Sequence, residues 1–447
     1  MFNRKVSSLA VVLLGLTSSV PLYFHFGGDA GGAPIFYVQC AVISGLLCIY
    51  FFRHKKSDLT PLDQFVAAFL VWLLISFLLN VPWMWATGRS ELAGRQLTSA
   101  VTVLFTMSPY LLGRCYFDMR QQGVIFIRSV TASLAVVILG YAIFYSNHLA
   151  DLYVARQGIN QRIPMMIGFL AWAICAQVFW DFRGRYMLLA VWLGSMLIVA
   201  LSLTRGAYFQ CFVSGVAFIA ISIFRNPKNR IRHLWRWAVT GLVGCLLLVG
   251  LAARSEPDSS FGGTITVIVN RAGQLLALRE QINTDESANG RVEIWTRLMR
   301  RLEMSPVQMV IGFGQLGPSA YLGGKFIDMS GVVTNEYNAH NQYLDTLVRS
   351  GIVGLLLECA LLAAIIVKPF RNASGSIHLQ FFKTHSVALI GVLVYGMFHE
   401  TLRFQMFGLY FWLYAGIVSR ELYSQKGSRA PFGDRSYSAW SLLPLKS

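Results

Sequence analysis

Long apolar stretches, separated by short polar and basic turns, recur along almost the whole chain. An α-helix needs about 20 mostly apolar residues to cross the hydrocarbon core of a bilayer. By this length criterion the pattern predicts about twelve transmembrane helices in an all-α, polytopic membrane protein. Because the count is even, both termini are expected on the same side. The predicted spans lie near 6–24, 34–53, 61–80, 96–113, 123–146, 164–180, 186–203, 206–224, 237–253, 342–367, 382–398 and 402–420.

Composition and charge agree with this class and give the orientation. The chain is 55% hydrophobic and 13% charged, against about 25% charged residues in soluble domains. Basic residues concentrate in alternate loops, such as "RHKK" (53–56) and "RNPKNRIRHLWR" (225–236), and in the tail beyond 420. Basic loops stay in the cytoplasm, so both termini are predicted to be cytoplasmic. The first apolar run lacks a small-residue cleavage site and is long enough to span the membrane, so we do not expect it to be cleaved as a signal peptide.

The pattern divides the chain into four parts. Residues 1–253 are predicted to form helices 1–9, and residues 342–420 helices 10–12. Between them, 254–341 is a large outer segment, and 421–447 is a cytoplasmic tail.

Within the outer segment, "NGRVEIWTRLMRRLEMSP" predicts an amphipathic helix. Its apolar residues recur at three- and four-residue spacing, as one face of a helix requires. Asn289 is the expected N-cap and Pro306 the expected end. The apolar face is formed by Val292, Trp295, Leu298, Met299 and Leu302.

A polar cluster in "NAHNQYLDTLVRSG" (338–351) stands at the start of the next apolar span. Neutral imidazole is a competent base near pH 7, so His340 is the candidate base, supported by Asn338 and Asn341. The alternative is that His340 is simply an interfacial polar residue at the end of a membrane helix.

Basic residues on the outer side are arginines, apart from Lys325. Arginine binds phosphate in a planar, bidentate way that lysine cannot reproduce. Arg205 lies in the tight corner "LTRGAYF", and Arg291 lies in the first turn of the amphipathic helix, where it opposes the helix dipole. Arg156 and Arg162 occupy another outer loop, "VARQGINQRIP". These four are the candidate anion-binding residues, and the alternative is that they snorkel to lipid headgroups.

Other ionisable residues are weaker candidates. Asp345 and Arg349 are spaced to pair on one helix face. On a straight helix Glu358 would lie roughly 27 Å deeper than His340, so no shared chemistry is expected. His399 and Glu400, in "MFHETLRF", occupy the last outer corner and could flank the site.

Several other chemistries find no support in the sequence. The chain contains no GxxxxGK[ST], HExxH or GxSxG motif, so neither a P-loop for ATP nor a familiar hydrolase is indicated. Its seven cysteines include no CxxC pair, which leaves a zinc site or a disulfide framework without support.

The chain resembles the bacterial O-antigen ligase (WaaL) family, which shares a domain with O-antigen polymerases and protein O-oligosaccharyltransferases. The resemblance is carried by "NGRVEIWTRLMRRLEMSPVQMVIGFG", by "NAHNQYLDTLVRSGIVGLLL" and by the arginine corner "TRGAYF". The residues that match the family's motifs are Arg205, Gly290, Arg291, Trp295, Pro306, Gly312, Gly314, His340, Asn341, Leu344, Gly351 and Gly354.

The resemblance implies a fold like that of other lipid-linked glycosyltransferases and a specific reaction. Such ligases move a glycan from undecaprenyl pyrophosphate to a sugar hydroxyl of lipid A–core at the periplasmic face of the inner membrane. The implied partners are this donor, this acceptor and membrane lipids, with no nucleic acid. The family needs neither ATP nor an obligatory metal, so no cofactor is predicted. In this scheme His340 is the base and Arg205, Arg291, Arg162 and Arg156 bind the pyrophosphate.

Three alternative functions stay open. An O-antigen polymerase uses the same donor but a lipid-linked glycan as acceptor. A protein O-oligosaccharyltransferase often carries a longer extension after its last span. A transporter would need charges or broken helices near the middle of the membrane, whereas the charges identified here lie at the outer ends.

Overall fold

The computed structural model describes residues 59–86, 90–115, 117, 119–147, 162–179, 186–202, 204–225, 286–314, 326–327, 333–334, 339–371, 377–399, 401–402 and 405–423. This part of the chain is almost entirely helical, with one short antiparallel pair of strands, β1 (Phe326–Ile327) and β2 (Val333–Thr334). The helices are α1 (Pro61–Ala86), α2 (Ser90–Met107), α3 (Pro109–Cys115), α4 (Met119–Asn147), α5 (Arg162–Ala173), α6 (Tyr186–Leu201), α7 (Arg205–Arg225), α8 (Glu286–Glu303), α9 (Pro306–Ile311), α10 (Gln342–Arg371), α11 (Ile377–Tyr395) and α12 (Gln405–Val418). A 3₁₀ turn (Cys175–Phe179) follows α5, and a π turn (Ser419–Tyr423) follows α12.

Three of the described helices are long and apolar enough to cross a bilayer: Pro61–Pro82, Gln122–Ile143 and Gln342–Arg371. Four shorter apolar helices accompany them, within α5, α6, α7 and α11. Length and apolar composition of this kind are typical of an integral membrane protein.

The predicted spans that fall on described residues all coincide with helices. The spans at 6–24, 34–53 and 237–253 lie outside the described residues. Three predicted spans are interrupted: 96–113 breaks at Ser108, 164–180 at Ile174, and 342–367 at Gly351. Hydropathy therefore located the helices but did not show where they break.

The break in α10 is the most consequential of the three. Gly351 has φ 68° and ψ −174°, a backbone conformation that is essentially restricted to glycine. The segment after it still runs to Arg371 and is roughly 30 Å long at about 1.5 Å per residue, which matches the hydrocarbon thickness. The single span predicted at 342–367 is therefore wrong as a continuous helix: a short segment, 342–350, precedes the membrane-length segment.

The carbonyl groups at the end of the short segment are satisfied from outside the helix. The amide groups of Phe313 and Gly314 donate to Val348 O (2.7 Å) and Arg349 O (2.9 Å). Gly312 also has a positive φ of 76°, and a Cβ there would lie 2.3 Å from the Arg349 backbone. The Gly312–Gly314 turn is thus packed directly onto the break, and a side chain at position 312 would clash with it.

Helix α1 supplies the remaining donors to this region. The Trp72 indole donates to Ser350 O (2.7 Å), and the Ser76 hydroxyl donates to Arg349 O (3.1 Å). One turn further on, the Asn80 amide donates to Gly312 O (3.1 Å). These three residues recur every four positions, so they form a polar stripe on one face of α1 that binds both the broken helix and the turn packed on it.

The amphipathic helix is confirmed as α8, with different details from those predicted. It begins at Glu286, so Asn289 lies inside it rather than at its N-cap, and it ends at Glu303 before Pro306 opens α9. Val292 is 50% exposed and does not belong to the packed face. That face is formed by Ile294, Leu298 and Leu302 with Trp295 and Met299, and it packs on Phe313, Ala339 and Val348.

A separate buried network ties α1, α3 and the end of α12 together. Thr60 and Asp63 form a reciprocal cap at the start of α1, with Thr60 N donating to Asp63 Oδ2 (2.7 Å) and Asp63 N to Thr60 Oγ1 (3.2 Å). The Asp63 carboxylate also accepts from the hydroxyls of Tyr110 and Ser419 and pairs with Arg114 Nε at 3.1 Å. This network fixes one end of α1, and the polar stripe lies further along the same helix.

Candidate active site

His340 lies immediately before the capped start of α10. The Asn341 side-chain oxygen accepts the amide N–H groups of Tyr343 and Leu344, both at 3.0 Å, which is N-cap geometry. Asn341 therefore caps α10, and the supporting role predicted for it at His340 stays a prediction. His340 itself has φ 48°, an uncommon left-handed conformation for a residue with a side chain. Such conformations cost of order 1–3 kcal/mol and persist where the surroundings fix them, often at functional sites.

A second histidine faces His340. The ring centroids of His340 and His399 are 6.1 Å apart, with the rings nearly perpendicular. His399 stacks on Tyr395, with centroids 4.8 Å apart. The Tyr395 ring in turn lies against the Gly206 backbone, where a Cβ would come within 2.7 Å of it. A continuous set of contacts thus joins His340 to the corner where α7 begins.

Arg205 is the first residue of α7, next to Gly206. Its side chain lies outside the described residues, but its backbone is brought to the His340 region by the Gly206–Tyr395 contact. The N-terminal end of a helix carries a partial positive charge. The start of α7 therefore adds a positive electrostatic contribution near the two histidines.

Arg162 is the first residue of α5, and its side chain is likewise outside the described residues. The first two turns of α5 and α7 are in contact, because Gln210 Nε2 donates to Met165 O at 3.1 Å. This contact brings the N-terminal turns of both helices together, so the backbones of Arg162 and Arg205 lie at neighbouring helix starts.

Arg291 reaches the same region from α8. The Trp295 indole, one turn further along, donates to Ala339 O at 2.6 Å. Ala339 is fully buried and directly precedes His340. Because residues four apart share a helix face, the half-buried Arg291 lies on the side of α8 that meets the His340 segment.

Two of the predicted site residues, Arg156 and Asn338, and the weaker candidate Glu400 lie outside the described residues. Their assignments stay predictions, as do the chemical roles of His340, Arg205, Arg291 and Arg162.

The prediction that Glu358 lies far below the start of α10 is wrong. A straight helix would separate Gln342 from Glu358 by about 24 Å, but Gln342 Nε2 donates to Glu358 Oε1 at 3.1 Å. The Thr346 hydroxyl donates to Glu358 Oε2 at 2.6 Å. The break at Gly351 folds the two segments of α10 back on each other, so the 3%-exposed Glu358 lies beside the first turn of the helix.

The predicted Asp345–Arg349 pair is confirmed. Arg349 Nε lies 2.7 Å from Asp345 Oδ2, with side chains 6% and 1% exposed. Both residues, with Glu358, line a cavity of about 170 Å³ where α1, α2 and α10 meet. Several hydroxyl-bearing side chains share the lining, so the space is polar enough to hold water. The remaining polar lining residues are Ser99, Thr102, Thr106, Gln342, Thr346 and Ser350.

Sequence reasoning did not identify Tyr395 or the polar stripe on α1. The sequence pattern could have predicted the stripe, because Trp72, Ser76 and Asn80 recur every four residues in an apolar helix. Tyr395 had no such pattern, because it is one aromatic residue among many in apolar spans.

A family model described as O-antigen ligase matches residues 187–359. The matched region contains Arg205, Arg291, His340 and Glu358 and ends before Tyr395 and His399. No curated protein matches the chain.

Proposed function

We propose that the protein is an O-antigen ligase, because a family model described as O-antigen ligase matches residues 187–359, which supports glycan transfer of the O-antigen ligase or polymerase type. In this proposal it transfers a glycan from undecaprenyl pyrophosphate to a sugar hydroxyl of lipid A–core, at the periplasmic face of the bacterial inner membrane. The observation that carries the proposal is the set of contacts from His340 through His399 and Tyr395 to Gly206. It joins the candidate base to the helix start that bears Arg205.

His340 acts as the general base. A sugar hydroxyl is a weak nucleophile, and a positioned imidazole that accepts its proton lowers the barrier to attack. The hydroxyl oxygen attacks the anomeric carbon of the donor while its proton passes to a ring nitrogen of His340. The unusual backbone of His340 and the edge of His399 hold the ring for this step.

Arginines stabilise the leaving group. As the bond between the anomeric carbon and the pyrophosphate oxygen breaks, its electron pair and the growing negative charge move onto the pyrophosphate. Guanidinium groups placed where charge develops are an effective form of transition-state stabilisation. Arg205 and Arg291, with Arg162 and Arg156, fill this role, and the positive end of α7 adds to it.

The transfer proceeds in one step with inversion at the anomeric carbon. Retention by double displacement needs a second carboxylate close to the scissile bond. Among the described residues, the carboxylates nearest His340 in sequence are Asp345, which is paired with Arg349, and Glu358, which is hydrogen-bonded to Gln342 and Thr346. Both are committed to structural contacts, which favours direct attack by the acceptor hydroxyl.

An in vitro assay tests the proposal. The purified protein in lipid nanodiscs would be given an undecaprenyl-pyrophosphate-linked glycan with either lipid A–core or a second lipid-linked glycan as acceptor. We expect glycan-modified lipid A–core with inverted anomeric configuration. Chain extension of the lipid-linked glycan, with no product on lipid A–core, would contradict the ligase assignment and favour a polymerase.

A further inference from the structure

We propose that Glu358 is a positioning residue for His340, acting through Gln342. This inference rests on the proposed function, and it gives Glu358 an indirect role, through the position of the candidate base.

Glu358 contacts the short segment of α10 across the helix break. Glu358 accepts hydrogen bonds from Gln342 Nε2 and Thr346 Oγ1, so both of its carboxylate oxygens are occupied by the short segment of α10. Gln342 Nε2 also lies 3.1 Å from Thr346 Oγ1, as a donor to the same hydroxyl. The amide orientation of Gln342 is fixed as a result, because its nitrogen faces two acceptors.

Gln342 is hydrogen-bonded to the corner that contains His399. With its nitrogen directed at Glu358, the Gln342 side chain points Oε1 at Leu402, whose amide donates at 3.0 Å. The Gln342 backbone N–H donates to Gly396 O at 2.6 Å. These two hydrogen bonds hold Gly396 and Leu402, on either side of His399 in the chain.

The hydrogen bonds of Gln342 also affect the position of His340, the candidate base. His340 is two positions before Gln342 and has a left-handed backbone, a conformation that needs its neighbours to be held. Its ring contacts the ring of His399, which lies in the corner that Gln342 holds. Removing Glu358 frees the Gln342 amide, loosens the corner and allows both imidazoles to shift. A misplacement of about 1 Å can cost on the order of 100-fold in rate.

A carboxylate suits the two hydrogen-bond donors that point at position 358. Gln342 Nε2 and Thr346 Oγ1 both donate to Glu358, and a carboxylate accepts at both oxygens. A glutamine at 358 can accept at one oxygen only, but the Thr346 hydroxyl can rotate to accept from its amide. Glu358→Gln is therefore the conservative variant, and Gln342→Glu is the disruptive one because it sets two carboxylates against each other.

The test combines single variants with an exchange of partners. Glu358→Ala should lower kcat for glycan transfer about 10- to 100-fold and change KM for the donor less than about twofold, because donor contacts stay intact. Gln342→Glu should be similarly impaired. The double variant Gln342→Glu/Glu358→Gln restores a donor opposite an acceptor and should recover activity to within about threefold of wild type, as coupled residues do in a double-mutant cycle.

A second readout does not depend on catalysis. Carbethoxylation of His340 by diethyl pyrocarbonate, followed by peptide mass spectrometry, reports how the imidazole is held. Its rate should change at least about threefold in Glu358→Ala and return to the wild-type rate in the double variant, as expected for coupled positions. The matched control is Ser195→Ala, which removes another fully buried side-chain hydrogen bond, to Val191 O, and should leave both readouts unchanged.

The outcomes separate the two proposals. A double variant no better than Gln342→Glu alone, or an unchanged His340 labelling rate in Glu358→Ala, would overturn the positioning role. If Glu358→Ala fails to accumulate, the double variant decides the matter. Full transfer activity in His340→Ala would instead overturn the proposed function, while the labelling result would still report on the link from Glu358 to His340.

Discussion

The imidazole rings of His340 and His399 meet edge to face, with centroids 6.1 Å apart. The two residues belong to different parts of the chain, because His340 lies inside the region that the family model matches and His399 lies beyond the end of that region at residue 359. The surroundings of the candidate base are therefore completed by the corner between α11 and α12. This contact leads to the first prediction.

Replacing His399 with Ala should lower kcat about tenfold, because removing a contact that orients a catalytic group costs part of the benefit of positioning. His399→Phe keeps a ring against His340 and on Tyr395 and should retain most of the activity. Steady-state transfer assays on purified variants check this. Equal loss in the two variants would show that the imidazole itself, rather than its ring contact, is needed.

Replacing His340 with Ala should abolish detectable transfer, since loss of a general base typically costs 10²- to 10⁴-fold. The variant should still insert and purify with a normal elution profile, because His340 is only partly buried. Complementation of a strain that lacks the gene, with staining of its lipopolysaccharide, measures the effect in cells. Wild-type lipopolysaccharide from this variant would remove the base from the scheme.

Replacing Arg205 with Lys should impair transfer nearly as much as replacing it with Ala. Lysine keeps the charge but loses the planar, bidentate donor pair that suits a pyrophosphate oxygen. Transfer rates measured at several donor concentrations compare the two variants. A fully active Lys variant would mean that charge alone suffices.

Gly351→Ala should destabilise the protein by at least about 1–3 kcal/mol, the cost of a strained backbone conformation, and more from overlap, because a Cβ at 351 would lie 2.0 Å from Val310 O. The matched control is Gly215→Ala in α7, where a Cβ would meet Trp172 at an ordinary distance of 3.4 Å. Thermal unfolding followed by tryptophan fluorescence compares the two. A Gly351→Ala protein as stable as the control would argue against the break in α10.

Replacing only one partner of the buried Asp345–Arg349 pair should destabilise the protein by about 3–5 kcal/mol, because it leaves an uncompensated charge in the helix bundle. Arg349→Met/Asp345→Leu should be more stable than Arg349→Met alone. The same thermal unfolding measurement tests this. Additive destabilisation in the double variant would mean that the two side chains do not depend on each other.

The helices could be predicted from the sequence because a span must be long and apolar whatever its neighbours are. The Asp345–Arg349 pair could be predicted for a similar reason, since spacing on one helix determines it. The error at Glu358 came from treating α10 as straight. The signals for a break were present: Gly351 follows a span start that contains both Asp345 and Arg349, and charges inside a lipid-facing helix are costly.

The contacts around His340 could be predicted only in part. The outer position of His399 followed from the order of spans, but its meeting with His340 depends on how α7 and α11 pack. That packing is set by the close approach of Gly206 to Tyr395, a tertiary contact that no local pattern encodes. The face of α8 was misjudged at Val292 for the same reason: the apolar spacing fits a helix face, but the partner surface decides which residues are buried.

The interrupted α10 also constrains the order in which the protein is made. Its short segment carries an ion pair and ends in carbonyls that accept from Trp72, Ser76, Phe313 and Gly314, and hydrocarbon offers no substitute for those donors. All four donors precede residue 342 in the chain. The ribosome therefore synthesises the hydrogen-bond donors before the short segment whose carbonyls need them. The short segment can form these hydrogen bonds as soon as it leaves the translocon.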